Sequence, residues 1–263
     1  MVSKSLKNRR NLRQTRASPI FPAMQADQRG LDAGTQADLR PDFRHVRAWI
    51  FDLDNTLYPA SCDLFAQIDV RMTDYVGRFL GVDPIEAKRL QKEHYRVHGT
   101  TLTGLMKLHD LEPEDYLAFV HDIDLSGLVP DPELSRGLER LPGKRFVFTN
   151  GCRNHAARVL ERLGLSHLFD AIWDIRAIDY RPKPDAHAYR QVLAKSGVLA
   201  SASAMFDDIA RNLVEAHMLG LTTVWLKNGS PWSSQGPLHP VAESGHIDYE
   251  TDDLAAFLHS IRV

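Results

Sequence analysis

The sequence predicts an α/β fold: a parallel β-sheet flanked by helices and interrupted, after its first strand, by an all-helical insert. Three observations predict it. Short, continuously apolar runs end in acidic or hydroxyl residues. From position 145 onward such runs alternate with helical periodicity. Residues 60–140 carry helical periodicity with no strand among them. A short apolar run bounded by polar residues suits a strand buried on both faces, the environment of a parallel sheet. Intervening helices supply the crossovers that parallel strands require.

Order is expected to begin near Val46. Ala48-Trp49-Ile50-Phe51 reads as the first strand and runs into Asp52. Helical patterns then cover roughly 64–80, 84–98, 100–109, 113–122 and 131–140. After the turn Leu141-Pro142-Gly143-Lys144 comes a second strand, Phe146-Val147-Phe148, ending in Thr149. In 153–164, Ala156, Val159, Leu160 and Leu163 recur at helical spacing, and Gly164 suits the stop. In 185–197, Ala188, Tyr189, Val192 and Leu193 repeat the pattern up to Gly197. Ala204-Met205-Phe206 is a third strand ending in Asp207-Asp208, followed by a weaker helix over 209–220. Thr222–Leu226 is a fourth, rich in β-branched residues. The tail adds a strand near 246–249 and a helix over 254–261, with the Ser/Gly/Pro stretch 229–240 around Trp232 as a linking loop.

The 263 residues carry 43% hydrophobic and 25% charged side chains, which excludes collagen-like, coiled-coil and wholly disordered classes. No uncharged apolar run approaches the ~18 residues of a membrane span, so no membrane partner is expected. Cys62 and Cys152 cannot build a disulfide framework, which points to a reducing, cytoplasmic setting. The net charge of −2 argues against a nucleic-acid partner. That total hides an asymmetry: six Lys/Arg and no acid in residues 1–16 leave −8 for the remainder. Residues 1–44 lack clustered apolar side chains and are expected to form a disordered basic extension; a nucleic-acid arm or a transit peptide are the competing readings.

The strand ends carry the chemistry. Ligands of an open α/β sheet bind beyond the carboxyl ends of its strands, and there stand Asp52, Thr149 and Asp207-Asp208. Asp54 follows Asp52 by two, so two carboxylates can converge on one point. A single Asp ending a strand is unremarkable; three polar strand ends in one sheet are not. Oxygen ligands without His or Cys suit a hard cation such as Mg2+. Thr149-Asn150-Gly151 leads into a helix N-terminus, a ready anion site. Lys183, stiffened between Pro182 and Pro184, supplies a neutralising charge. Carboxylates cannot face a phosphate unaided, since one like-charge pair ~4 Å apart costs about 4 kcal/mol at an effective dielectric of 20.

Asp52-x-Asp54-x-Thr56, then Thr149, Lys183, and Asp207-Asp208 with Asn212, in that order over residues 46–227, resembles the four motifs of the haloacid dehalogenase (HAD) superfamily. The resemblance implies a Rossmann-like core of residues 45–60 and 140–263, and a C1-type helical cap over 61–139. It implies Asp52 as nucleophile forming an aspartyl-phosphate and Asp54 as general acid and then base. It places Mg2+ on Asp52, the Asp54 backbone carbonyl and Asp208, and a phosphoryl group on Thr149, Asn150 and Lys183. Asp207 and Asn212 are supporting residues; Asn212 stands where the superfamily often has an acid. Halide departure needs no acid, so Asp54 favours a phosphatase or phosphomutase over a dehalogenase.

Within the superfamily, Asp54-Asn55-Thr56-Leu57-Tyr58, Phe148-Thr149-Asn150-Gly151, His155-Ala156 and Tyr95-x-x-His98-Gly99-Thr100 resemble the pyrimidine 5′-nucleotidase branch, with His98 where a Tyr is more usual. The substrate expected is a nucleoside monophosphate such as UMP or CMP, with Tyr95, His98 and Thr100 as cap contacts. Phosphatases of sugar phosphates or phosphoglycolate, a phosphomutase and a non-catalytic interaction module are the alternatives. Tyr95 reads equally as cap core, and His94 with His98 as a pair on a solvated face. His155 reads as a substrate contact or a surface polar residue, and Cys152 as packing. Oligomeric state is not legible.

Overall fold

The computed structural model describes residues 40–227, 229 and 244–263. Six parallel strands form one sheet in the order β3-β2-β1-β4-β5-β6. They are β1 (Ala48–Phe51), β2 (Lys144–Phe148), β3 (Ala171–Trp173), β4 (Ser203–Asp207), β5 (Thr222–Leu226) and β6 (Tyr249–Thr251). This order makes β1 the centre, with β2 and β4 as its neighbours, and the chain reverses its direction of winding between β1 and β4. A doubly wound sheet opens its ligand crevice at that point.

The continuous apolar run of β1 is explained by burial on both faces. Trp49 and Phe51 point into one apolar cluster with Phe206, Leu138 and Leu258. Ala48 and Ile50 point into the other with Phe148, Met205 and Tyr189. The two-residue period of a strand divides one apolar tetrapeptide between two cores. Strand β3 was not anticipated: three half-buried residues are too few to show a period.

Five helices lie between β1 and β2: α1 (Leu64–Leu80), α2 (Pro84–His98), α3 (Thr101–His109), α4 (Pro113–Val120) and α5 (Pro132–Glu139). Their starts follow local capping chemistry. Asp83, Thr100 and Asp131 accept hydrogen bonds from first-turn N–H groups, and Pro84, Pro113 and Pro132 occupy first positions where no N–H is required. Helices α1 to α4 pack on one another as the expected insert. Helix α5 does not belong with them. Leu134 and Leu138 join the sheet cluster, and a Cβ on Gly137 would stand 3.0 Å from Leu258 Cβ of the last helix, α9 (Leu254–Ser260). The cap span of 61–139 is therefore too long at its carboxyl end.

The remaining helices are α6 (Arg153–Arg162), α7 (Ala186–Ser196) and α8 (Asn212–Met218). The extension drawn over 1–44 also needs correction at its end. Phe43 is fully buried, stacked on Trp49 at 5.7 Å, and its N–H donates to Arg262 carbonyl oxygen. Residues 1–39 and the Trp232 loop lie outside the described residues. No helix among the described residues is long and apolar enough to cross a membrane.

Candidate active site

Asp52 follows β1, Thr149 follows β2, and Asp207 ends β4 with Asp208 next. Because the three strands are neighbours in parallel register, their ends converge. Asp52, Asp207 and Asp208 each place a carboxylate oxygen within 4.8 Å of the others. The chain beyond β1 turns at Asn55, whose φ of 62° is left-handed, a conformation short polar Asn tolerates.

Lys183 organises this cluster. Its Nζ donates to Asp52 Oδ1 at 2.7 Å, Asp207 Oδ2 at 2.7 Å and Phe148 carbonyl oxygen at 2.9 Å, and its side chain is 1% exposed. Burial alone would depress the ammonium, but Asp207 and Asp52 outweigh it and hold Lys183 above its usual range. All three N–H groups are engaged, so direct contact with a phosphoryl oxygen requires surrendering one. The Asn150 side chain secures the Lys183 loop. Its Oδ1 accepts the Lys183 N–H at 2.8 Å and its Nδ2 donates to the Lys183 carbonyl at 3.3 Å, so the amide holds the lysine loop in place. Thr149 Oγ1 accepts the Gly151 N–H at 2.9 Å, which leaves its hydroxyl proton available. A Cβ on Gly151 would stand 3.2 Å from that Oγ1 and 3.4 Å from His121 Nε2, so glycine permits the approach.

The acids divide their work. Asp207 is spent on protein donors: Lys183, the Ile209 N–H, and Asn212 Nδ2 at 3.0 and 3.2 Å. Asn212 thus orients Asp207, which holds Lys183. Asp52 Oδ2 accepts from Thr56 Oγ1 at 3.1 Å. Asp208 Oδ2 is buried with no hydrogen-bond partner among the described residues. Burial, then their mutual repulsion and that of Asp207, push Asp208 well above the ordinary carboxylate range; burial does the same to Asp52 despite the opposing Lys183 charge. An orphaned buried oxygen beside a second strained carboxylate, with oxygen donors only, fits a hard divalent cation. Asp52 and Asp208 are the side chains placed to hold one.

Asp54 stands two residues beyond Asp52, just past the end of β1. Its Oδ1 accepts from Tyr58 Oη at 2.6 Å and His155 Nε2 at 2.8 Å. Burial raises its pKa, yet the two partners, His155 foremost, bring it down to about 2. His155 is neither a surface residue nor a cavity-lining one; it is buried and stacked on His121, with centroids 4.6 Å apart. Cys152 caps α6, its Sγ accepting the His155 N–H. Tyr58 enters the sequence reading only as the end of the Asp54–Tyr58 motif, with no role of its own, and His121 and Arg211 do not enter it. Tyr58 follows Asp54 by four residues in the same turn, a spacing that could have flagged it; His121 carries no local signal.

A cavity of about 140 Å³ opens from these acids toward the helical insert. Asp52, Asp54, Thr149, Lys183 and Asp208 form its floor; Phe65, Ile68, Met72, Tyr95, Thr100 and Gln91 are among its walls. Of the three expected cap contacts, Tyr95 and Thr100 line it. His98 does not: it lines a separate groove with Pro182 and Pro184. Nor are His94 and His98 a solvated pair, since His94 is buried where a Gly104 Cβ would otherwise be.

A doubly wound sheet whose central strand ends in two carboxylates, answered by a lysine and a paired Asp-Asp, defines a HAD-type hydrolase. A family model of haloacid dehalogenase-like hydrolases matches residues 46–216, well over half of the chain, and the protein belongs to that family. Phosphate metabolism protein 8 of Saccharomyces cerevisiae is 31% identical over 192 residues, covering 66% of this chain and 60% of that protein. The match thus spans less than two thirds of that relative's length. A HAD phosphatase from Thermococcus onnurineus superposes with a TM-score of 0.54 at 22% identity, over 83% of this chain and 100% of that one. A predicted phosphoglycolate phosphatase from Haemophilus somnus gives 0.54 at 18%, over 82% and 97%. An L-2-haloacid dehalogenase from Xanthobacter autotrophicus with chloropropionic acid covalently bound gives 0.50 at 17%, over 81% and 97%. At these identities the likeness concerns the fold, which phosphatases and dehalogenases share; the reaction must be argued from the site.

Proposed function

We propose that this protein is a Mg2+-dependent phosphomonoesterase acting through an aspartyl-phosphate, with pyrimidine 5′-mononucleotides such as UMP and CMP as substrates. The observation that carries the reaction class is Asp54. Its Oδ1 is held by two donors while Oδ2, with no protein hydrogen bond among the described residues, belongs to a side chain lining the cavity beside Asp52. A dehalogenase has no use for such a group.

In the first half-reaction an Asp52 oxygen attacks phosphorus. The P–O bond to the leaving group breaks, its electron pair goes to that oxygen, and a proton follows from Asp54 Oδ2, which, being ionised at neutral pH, must first take it from the phosphate monoanion. In the second, water attacks phosphorus, gives its proton to Asp54, and the bond to Asp52 breaks to release phosphate and restore the carboxylate. Lys183 fixes Asp52 Oδ1, and the Thr149 hydroxyl donates to a phosphoryl oxygen. Asp52, Asp208 and the Asp54 carbonyl would hold Mg2+, which screens phosphoryl charge when bound.

The nucleotide reading rests on the walls: Phe65, Ile68 and Met72 offer apolar surface, and Tyr95, Thr100 and Gln91 polar contacts. At about 140 Å³ the cavity is small, which favours a pyrimidine over the larger purine base. The relative's name, which speaks of phosphate metabolism, agrees with phosphate chemistry and leaves the substrate open.

Phosphate release from p-nitrophenyl phosphate with Mg2+ and with EDTA, followed by UMP, CMP, AMP and phosphoglycolate, tests this reading. Absence of Mg2+-dependent release, or equal release by Asp52→Asn, would sink the enzyme. Preference for phosphoglycolate would remove the nucleotide only.

A further inference from the structure

The buried ring of His155 makes one side-chain hydrogen bond, and it is to Asp54. We propose that His155 is a positioning residue for Asp54: together with Tyr58 it pins Oδ1, turns Oδ2 toward the reacting atoms, and so decides which leaving groups the enzyme can expel. This rests on the phosphomonoesterase reading above and adds a residue role to it.

Two observations on its hydrogen bonding support the role. Both donors meet the same oxygen, Tyr58 Oη at 2.6 Å and His155 Nε2 at 2.8 Å, so the carboxylate is fixed in orientation and its two oxygens are made unequal. A carboxylate only accepts here, so His155 Nε2 carries the proton. The other ring nitrogen, Nδ1, is buried without a partner among the described residues. An unsatisfied buried nitrogen is costly, and a histidine serving packing alone would be better replaced by an apolar ring.

The mounting of that ring is equally specific. His155 sits in the first turn of α6, directly after the Thr149–Gly151 loop, so one rigid segment carries the expected phosphate contact and the holder of the acid. Its face is covered by His121 at 4.6 Å and 20°. His121 is fixed in turn: its Nδ1 lies 2.9 Å from the Leu117 carbonyl, which can only accept, so that nitrogen donates. Leu117 belongs to α4 of the insert. The orientation of Asp54 is therefore set jointly by core and cap.

An acid matters in proportion to how badly the leaving group needs a proton. An alkoxide departs poorly without one, whereas p-nitrophenolate leaves unaided. The value of kcat/KM reports the steps through departure of the leaving group, so it isolates the half-reaction in which Asp54 is the acid.

The test compares the full-length wild type with His155→Phe, His155→Gln and Tyr58→Phe in saturating Mg2+. Two substrates are used: p-nitrophenyl phosphate, and whichever of UMP, CMP, AMP or phosphoglycolate the wild type turns over fastest. His155→Phe keeps a flat ring against His121 and removes the donor; His155→Gln restores an N–H near the same place. The expected result is a fall in kcat/KM of about ten- to a hundredfold on the alkyl ester and of less than about threefold on the aryl ester. His155→Gln should recover most of the loss, and Tyr58→Phe should shift in the same direction. Thermal melts of each variant report folding, and should His155→Phe not fold, Tyr58→Phe and His155→Gln carry the comparison. Parallel losses on both esters, or no loss on the alkyl ester, overturn the positioning role and leave the enzyme assignment standing. A wild type that releases phosphate from neither ester overturns both.

Discussion

Tyr95, on α2 of the insert, and Arg211, on the core loop after Asp208, meet across the boundary between cap and core. Arg211 Nη2 donates to the Tyr95 hydroxyl, and the guanidinium carbon lies 5.5 Å from the ring centroid. Tyr95 also lines the cavity, so this contact between insert and core ends at a cavity wall.

Tyr95→Phe keeps the ring and its place beside Arg211 while removing the hydroxyl. A hydrogen bond of this kind contributes about 0.5–1.5 kcal/mol net. We expect KM for UMP to rise about three- to tenfold, with kcat changed less than about twofold and stability within ~1 kcal/mol. Steady-state kinetics check the split, and a fall confined to kcat would contradict it.

Removal of the Lys183 charge should be felt in stability as well as in turnover. Lys183→Met leaves Asp52 and Asp207 buried without their shared cation, and breaking a buried ion pair from one side costs about 3–5 kcal/mol. Urea melts at neutral pH should show a loss of that size, alongside abolished phosphate release.

Metal and pH should be coupled. Asp52 and Asp208 are both held above the ordinary carboxylate value of ~4. Groups with raised folded-state pKa values contribute stability that is present below the unfolded value and lost as pH climbs through the folded one. Without metal, these two acids should therefore destabilise the fold progressively as pH rises above ~4. A divalent cation opposes that repulsion, so the thermal stabilisation by Mg2+ should be larger at pH 8 than at pH 5. Calorimetry or dye-based melts decide it; an equal shift at both would count against Asp52 and Asp208 as the ligands.

Gly104→Ala should destabilise the insert. The added Cβ would stand 2.5 Å from His94 Cβ across the contact of α2 and α3, closer than carbon atoms approach. Alanine gains about 1 kcal/mol in helix propensity, but overpacking between two helices costs about 1–3 kcal/mol. The net expected loss is up to about 2 kcal/mol, read by denaturant melts. An unchanged midpoint would mean the helices part easily there.

Much of this protein could be read from local pattern. The apolar tetrapeptide at 48–51, the helical periodicities of the insert and the prolines and acids at helix starts all act over a few residues, so they are visible in a linear string. So were Asp52, Asp54, Thr149 and Asp207-Asp208, because a strand end announces itself by the switch from apolar to polar. What the string could not show depends on how distant segments meet. Phe43 looked like part of a polar tail until Trp49 and Phe257 enclosed it. Helix α5 carries the same periodicity as its neighbours, and only its apposition to α9 assigns it to the core. His98 fitted a motif, yet its helix turns it into another groove. Lys183 was legible as a charge, but its three acceptors come from three strand ends. Asp54 and His155, 101 positions apart, owe their hydrogen bond to the placement of β1 beside β2. Periodicity and propensity are short-range and survive in sequence; hydrogen bonds between remote side chains exist only once the sheet order has brought their strands together.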